Sequence, residues 1–391
     1  MIYLFWICLF LLVYTYFIFP FSTIFLARKR SLNNKFYNQK DDMPSVSILI
    51  AAYNEQDVIK EKVMSIINSN LPSSKIEIII GSDCSTDNTN EIISKLAKNH
   101  SLINVKIFTE RSGKSSVVNK LVKQAKNEIL ILTDANIIFS KNTIHSLIRH
   151  FKDSEIGLVD SNMVNIGIKK SGISLQEKTY ISSEVKFKHA ESKLWGMLMG
   201  PFGGCFAIKK SLFVPIPENF MVDDFFICMN ILKNGNLAIN DLDAVVYEDV
   251  SNQISEEFRR KRRISMGNFI NLFYFKKLLL KPFSRLGFIF LSHKVIRWFG
   301  PILLILVLTS NFILISDNIF YKMTFFVQLI LFTLPFIDFL LRKIGIHILI
   351  LRFVTHFYSM NLALFIGMID YLTVNKKGVW EPTKRKQDEI Q

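Results

Sequence analysis

Short apolar runs bounded by an acid or an amide recur between residues 45 and 232 of this chain, and few architectures accommodate that pattern. Tyr53-Asn54-Glu55 follow SVSILIAA, Asp83 follows KIEIIIGS, Asp134-Ala135-Asn136 follow EILILT, and Asp223-Asp224 open FFICMNIL. Polar residues at the carboxyl ends of parallel strands line one crevice, where α/β sheets bind their ligands. Several carboxylates converging there repel one another unless a cation or a cationic ligand lies between them. A divalent metal carrying a phosphate meets that requirement. The pattern is that of an enzyme.

Half of the 391 residues are apolar and 35 are phenylalanine, which favours contact with lipid. Ile2 to Ala27 carry no charge, a run slightly above the roughly 20 residues needed to cross a bilayer. The basic residues Arg28-Lys29-Arg30 follow this run, whereas a signal peptide places its basic residues before a shorter apolar core. Residues 1–27 therefore read as an uncleaved N-terminal transmembrane anchor and 28–44 as a basic linker. The positive-inside rule puts the following domain in the cytoplasm.

A formal net charge of +15 does not by itself mean nucleic acid. The charge concentrates in Arg28-Lys29-Arg30, Arg259-Arg260-Lys261-Arg262-Arg263, Lys276-Lys277 and the tail from Lys376 to Lys386. Most of these flank apolar segments, where anionic membrane lipids are the natural partner, and no nucleic-acid motif accompanies them. Cys8, Cys84, Cys205 and Cys228 are scattered without a C-x-x-C pair, so neither a disulfide framework nor a zinc site is expected.

Residues 45–250 alternate strand-like and helical patterns, as a mainly parallel α/β sheet does. Strands are expected at Val46–Ala52, Ile76–Gly81, Val105–Phe108, Ile129–Thr133 and Ile156–Asp160, and helices at Asp57–Asn68, Asn88–Lys98, Lys114–Lys126 and Lys141–His150. After Lys277 the composition shifts. An interfacial helix is expected over 278–297. About three C-terminal membrane segments are expected within 298–372, at Trp298–Ile315, Phe325–Leu341 and Phe353–Leu372, followed by a basic tail over 373–391. Three such spans after one anchor would leave that tail outside, against the positive-inside rule. Arg352 and His356 in the last segment leave a re-entrant or interfacial placement open.

From Ser45 to Gly267 the ordered motifs resemble the family 2 inverting glycosyltransferases with the GT-A fold, in their membrane-anchored branch. The resemblance implies a Rossmann-like catalytic domain over 45–277. It gives the loop Ala52-Tyr53-Asn54-Glu55 to the nucleotide base and ribose, and Asp83 to a hydrogen bond from the base. Arg111-Ser112-Gly113-Lys114, with Asn119, resembles the family's R-x-G-K segment beside the nucleotide. A glycine and a cation at a helix start also suit phosphate, although the P-loop spacing is missing.

Thr133-Asp134-Ala135-Asn136 stands where the family has its DxD motif. Asp134 and Asn136 would then ligate Mg2+ or Mn2+ together with the donor diphosphate, with Ala135 beside the donor. Asn136 replaces the second aspartate and removes one negative charge. Asp223-Asp224 resembles the family's E/D-D motif, with Asp224 as general base and Asp223 as a neighbouring helper. Clustered negative charge would raise the pKa of one carboxylate towards a useful value. Gly203 and Gly204, in Gly200-Pro201-Phe202-Gly203-Gly204, fall on the acceptor side.

Arg260 to Gly267 aligns with the family's Q-x-x-R-W segment, which makes Arg263 a partner of the departing diphosphate. Arg260 replaces the glutamine on the acceptor side. Ile264 replaces the tryptophan that stacks on the acceptor sugar in polymer-extending synthases. Trp380 to Arg385 resembles the tail that gates some membrane synthases.

The expectation is an inverting glycosyltransferase in the inner (plasma) membrane, multi-pass, with its catalytic domain in the cytoplasm. It would move a sugar from a nucleotide-diphosphate donor, with a UDP-sugar as the family's usual choice, to a lipid-linked or nascent-glycan acceptor. One alternative is a processive polysaccharide synthase, which the small number of membrane segments and Ile264 disfavour. Another is an inactive nucleotide-sugar-binding subunit of a membrane complex, which Asn136 and Ile264 keep open. The sugar, the acceptor and the oligomeric state are left open by the sequence.

Overall fold

The computed structural model describes residues 1–38, 41–168 and 173–373. Apart from Thr373, the expected basic tail and its Trp380 to Arg385 motif lie outside the described residues. Among the described residues one sheet contains β1 (Val46–Ala52), β2 (Ile76–Asp83), β3 (Ile103–Phe108), β4 (Ile129–Asp134), β5 (Ile138–Phe139), β6 (Ile156–Ile166), β7 (Cys205–Lys209) and β8 (Leu237–Asp249). Their order is β3-β2-β1-β4-β7-β6-β8-β5. The half made of β3, β2, β1 and β4 is parallel throughout. In the other half β7 runs antiparallel to both β4 and β6, β8 runs parallel to β6, and β5 runs antiparallel to β8. The sheet is therefore mixed, with its parallel character confined largely to the first half.

Every residue of β1 and β2 is buried, the signature of strands covered on both faces. Side chains alternate between two layers. Leu49, Ile79, Leu130 and Leu132 pack with Val117, Leu121, Phe206 and Phe226 on one side. Ile48, Ile50, Ile78 and Ile131 pack with Ile59, Val63, Ile66 and Ile93 on the other. Each such fully buried aliphatic side chain contributes about 1.5–3 kcal/mol.

The five expected strands and four expected helices are present, the first strand with the expected ends and the others with shifted ones; the helices are Ile59–Ile67, Thr89–Asn99, Lys114–Gln124 and Thr143–Ile148. β5, β7 and β8 are additions, as is the 22-residue helix Ser174–Trp195. That helix buries Glu177, Glu184, Lys188 and Glu191. Buried His293 satisfies two of these acids: its Nδ1 is 2.7 Å from Glu191 Oε1 and its Nε2 is 3.3 Å from Glu184 Oε2.

Among the described residues three helices are long and apolar enough to cross a membrane: Ile2–Ala27, Ile319–Lys343 and Leu349–Thr373. Arg285–Trp298 and Gly300–Ile313 make a fourth if this pair, bent by 63°, is counted as one span. The first expected C-terminal span differs here. Gly300–Ile313 has 14 residues, about 21 Å of helix, short of a hydrocarbon core of about 30 Å. Pro301 opens it as a new helix after the bend.

The last helix is clamped to the helix Ile254–Phe275. Arg262 Nη2 donates to Asp370 Oδ1 at 2.8 Å, and Ser265 Oγ donates to Leu364 O at 2.7 Å. The N-terminal helix is tied in as well, with Tyr14 Oη 2.9 Å from Ser292 Oγ.

Candidate active site

The loops after β1 and β2 are sewn together. Asn54 adopts a left-handed conformation with φ 53°, which asparagine tolerates better than most residues. Its Oδ1 accepts from Thr86 N at 2.8 Å, its own N–H donates to Ser85 Oγ at 3.1 Å, and Glu55 N donates to Thr89 Oγ1 at 2.8 Å. Asp87 accepts from Gln56 N and Thr89 N, at the start of the helix Thr89–Asn99. The Arg111 guanidinium lies 3.7 Å over the Tyr53 ring, a cation–π contact that joins the third loop to the first.

Asp83 is fully buried. Its Oδ1 accepts from Ser112 N at 2.7 Å and its Oδ2 from Gly113 N at 2.8 Å. Gly113 has φ +83°, a conformation natural to glycine. Asp83 thus sets the turn that launches Lys114 rather than lying open at the crevice. Asn119 faces away from this turn: its amide pairs with the backbone of Ile216 through bonds of 2.8 and 2.9 Å.

Lys114 begins the helix Lys114–Gln124 and points into the acids. Its Nζ lies 2.8 Å from Asp134 Oδ1 and 3.7 Å from Asp223 Oδ1. Burial works against its charge, but Asp134, Asp223 and Asp224 outweigh burial and hold its pKa above the ordinary lysine value. Asp223 and Asp224 open the helix Asp223–Lys233, where the helix dipole favours negative charge. Burial first, and the neighbouring Asp223 second, push Asp224 up to about 7, with Lys114 opposing them.

The glycines expected on the acceptor side meet this pair. Gly203 has φ +77°, and a Cβ placed on it would lie 2.7 Å from Asp224 Oδ2. Gly204 O accepts from Asp134 N at 3.0 Å. Ala135 is buried.

Arg260 and Arg263 project from the helix Ile254–Phe275. Arg260 is tied to Glu257 at 3.3 Å, and that glutamate, opposed by burial, raises its pKa, with Asp134 adding to the rise. Burial and then Arg260 lower the pKa of Arg263, while Asp134 and Asp223 oppose them. Arg263 makes no ion pair among the described residues, so its charge is available to an anion in the crevice.

Sequence reasoning missed two pairs. Lys62, on the helix Ile59–Ile67, is fully buried and donates to Thr133 Oγ1 at 2.9 Å. Asp160 lies beneath the glycine loop: its Oδ1 accepts from Phe202 N at 3.4 Å, and Lys188 Nζ is 3.8 Å from its Oδ2 and 3.5 Å from the Phe202 ring. Burial raises Asp160 to about 6, with Lys188 opposing. Asp160 was visible as an acid ending an apolar run; Lys62 carried no signal, since a lysine on a short helix reads as solvated.

The oxygen donors suit a hard divalent cation in kind. Asp134 offers a partly exposed carboxylate, and Asn136 has a buried Nδ2 without a hydrogen-bond partner, so no donor bond of that amide locks it away from ligation. Among the described residues no three His, Cys, Asp or Glu side chains converge as a metal cage. A cation here would therefore take most of its shell from ligand oxygens and water.

Residues 47–215 match the family model described as glycosyl transferase family 2. Over these residues the chain is similar to that family. The poly-beta-1,6-N-acetyl-D-glucosamine synthase of Staphylococcus aureus (strain MSSA476) is 35% identical over 133 residues, 34% of this chain and 32% of that protein. Its Staphylococcus epidermidis counterpart is 30% identical over 144 residues, 37% of this chain and 32% of that protein. The chain thus spans about a third of the length of these curated relatives. A mannosyltransferase from Pyrobaculum calidifontis, solved with GDP-Man and Mn2+, has a TM-score of 0.69 at 19% identity, covering 95% of this chain and 99% of that one. That likeness is one of fold, and the fold is GT-A-like.

The family 2 match ends before Asp223, Asp224, Arg260 and Arg263. The fold brings Asp223 back to the matched region through Lys114, which touches it and Asp134 alike.

Proposed function

We propose that this chain is an inverting glycosyltransferase that moves a sugar from a nucleotide-diphosphate donor to a lipid-linked or nascent-glycan acceptor at the membrane surface. The observation that carries this reading is Lys114, whose ammonium group lies within reach of Asp134 at the end of β4 and of Asp223 beside Asp224. Donor-side and base-side acids therefore share one crevice.

The nucleotide would lie against the sewn loops of Tyr53 to Glu55 and Ser85 to Asp87, with its diphosphate towards Lys114 and Arg263. Asp224 takes the proton of the acceptor hydroxyl. That oxygen bonds to the anomeric carbon as the bond from this carbon to the diphosphate breaks, and the configuration inverts. A base whose pKa lies near the working pH suits this step. Lys114 and Arg263 stabilise charge growing on the leaving diphosphate, a contact that strengthens in the transition state. Asp134 and Asn136 would hold Mg2+ or Mn2+, which supplies further neutralisation of the diphosphate when bound.

The apolar helices support an acceptor met at headgroup level. Arg262 and Ser265, beside Arg263, are fastened to the last of these helices. Arg28-Lys29-Arg30 after the first helix favours a cytoplasmic active site. A processive synthase is the second reading, favoured by the name of the staphylococcal relatives. Ile264, where an aromatic platform would stack on a growing chain, weighs against it.

The test is nucleotide release by the detergent-purified full chain from a panel of UDP-, GDP- and dTDP-sugars, with Mn2+, Mg2+ or EDTA and with added membrane lipids. Release from one donor supports the reading and names the sugar. A long product formed without shorter intermediates favours the processive alternative. No release and no donor binding by calorimetry overturns both.

A further inference from the structure

Lys62 is a fully buried lysine on the face of the helix Ile59–Ile67 that also buries Ile59, Val63 and Ile66. Its Nζ donates to Thr133 Oγ1 at 2.9 Å and lies 3.5 Å over the Phe139 ring. Thr133 in turn donates through its hydroxyl to Gly204 O at 2.9 Å. The same carbonyl accepts from Asp134 N at 3.0 Å. The β4–β7 ladder ends at the pair Thr133 and Cys205, so these two bonds to Gly204 continue it to the edge of the crevice. On one side of this junction is Asp134; on the other is Gly203, against which Asp224 rests.

An apolar residue would fill the Lys62 position at lower cost. Placing a lysine among isoleucines and valines forfeits its hydration, and a single neutral hydroxyl partner restores only part of that loss. Burial accordingly lowers its pKa to about 7, with the Cys205 thiol and Asp134 opposing. If packing were its whole role, methionine would serve as well or better.

We propose that Lys62 is a positioning residue for glycosyl transfer: by holding Thr133 Oγ1 it fixes the Gly204 junction, and through it the relative placement of Asp134 and Asp224. The inference rests on the transferase reading above. Lys62 does not reach the crevice and touches neither donor nor acceptor; it acts through Thr133.

The experiment compares wild type, Lys62→Met, Thr133→Val and the double variant in the full chain. Nucleotide release, donor affinity by calorimetry and thermal melting are measured on each. The expected result is a kcat lower by about tenfold in each single variant, for a displacement smaller than the 1 Å that costs about 100-fold. Donor affinity should stay unchanged and Lys62→Met should melt no lower than wild type. The double variant should be no worse than either single one, as for two residues in one chain of contacts.

Wild-type kcat in Lys62→Met overturns the inference, as does full additivity in the double variant. Lowered melting together with lost donor binding in Lys62→Met, with Thr133→Val fully active, assigns the lysine to structure alone and also overturns it. A wild type inactive towards every donor sinks the transferase reading and this inference together. An active wild type with unaffected variants sinks this inference alone.

Discussion

Gly203 leaves no room for a side chain beneath Asp224: a Cβ built on it lies 2.7 Å from Asp224 Oδ2, and its φ is +77°. The proposed base therefore rests on bare backbone, from the loop expected to face the acceptor. Gly203→Ala strains the backbone and displaces the carboxylate together. A kcat loss of about 100-fold is expected, with donor affinity retained, measured by nucleotide release and by calorimetry.

The rate should follow the ionisation of Asp224. Burial and Asp223 raise its pKa from 3.8 to about 7, so kcat/KM should fall as pH drops through about 7 and level off above it. Stability runs the other way. A carboxyl whose folded pKa is raised stabilises the fold below its unfolded pKa, and that stability is lost as pH rises through the folded pKa. Asp224→Asn should therefore melt higher than wild type at pH 8, and the two should converge near pH 4. Lys114→Met removes the cation that opposes the rise, and its rate profile should move to higher pH.

Arg263 has no carboxylate partner among the described residues, yet Asp134 and Asp223 act on its charge. If it meets the diphosphate as that group departs, Arg263→Ala should lower kcat by about 100-fold. The loss of donor affinity should be smaller. A purely structural arginine would instead lower the melting temperature and leave kcat of the folded fraction unchanged.

The last helix approaches the helix Ile254–Phe275 closely at Gly367, where a Cβ would lie 2.3 Å from Arg262 O and 2.6 Å from Ser265 Cβ. Gly367→Leu forces the two helices apart. A cost of about 1–3 kcal/mol is expected, seen as a lower melting temperature in detergent. Because Arg263 follows Arg262, kcat should fall as well.

The parallel half of the sheet was legible because its strands are continuous apolar runs, buried on both faces. Residues such as Ile48 and Leu49 differ only in which layer they face. The helix Ser174–Trp195 was not legible because Glu177, Glu184, Lys188 and Glu191 occupy its buried face. They are satisfied by residues distant in sequence, such as His293 and Asp160, and no apolar periodicity survives such pairing. The bend around Phe299 lies beside the boundary expected between 278–297 and Trp298–Ile315, where Lys294 and Arg297 give way to an apolar run and Gly300-Pro301 follow.

In the site, the motif order indicated which loops would meet. It did not indicate that Asp83 would be committed to Ser112 and Gly113, nor that Asn119 would face Ile216. Those outcomes depend on loop geometry between strands that are far apart in the chain.

The most direct measurement is turnover and donor binding of Asp224→Asn beside wild type, in the same detergent and with the donor that wild type uses. The account predicts that the variant binds the donor with unchanged affinity and releases nucleotide at a rate lower by at least about 100-fold, the lower end of what general-base catalysis contributes. Equal turnover in the two proteins would contradict the assignment of Asp224 as the base and, with it, the proposed mechanism.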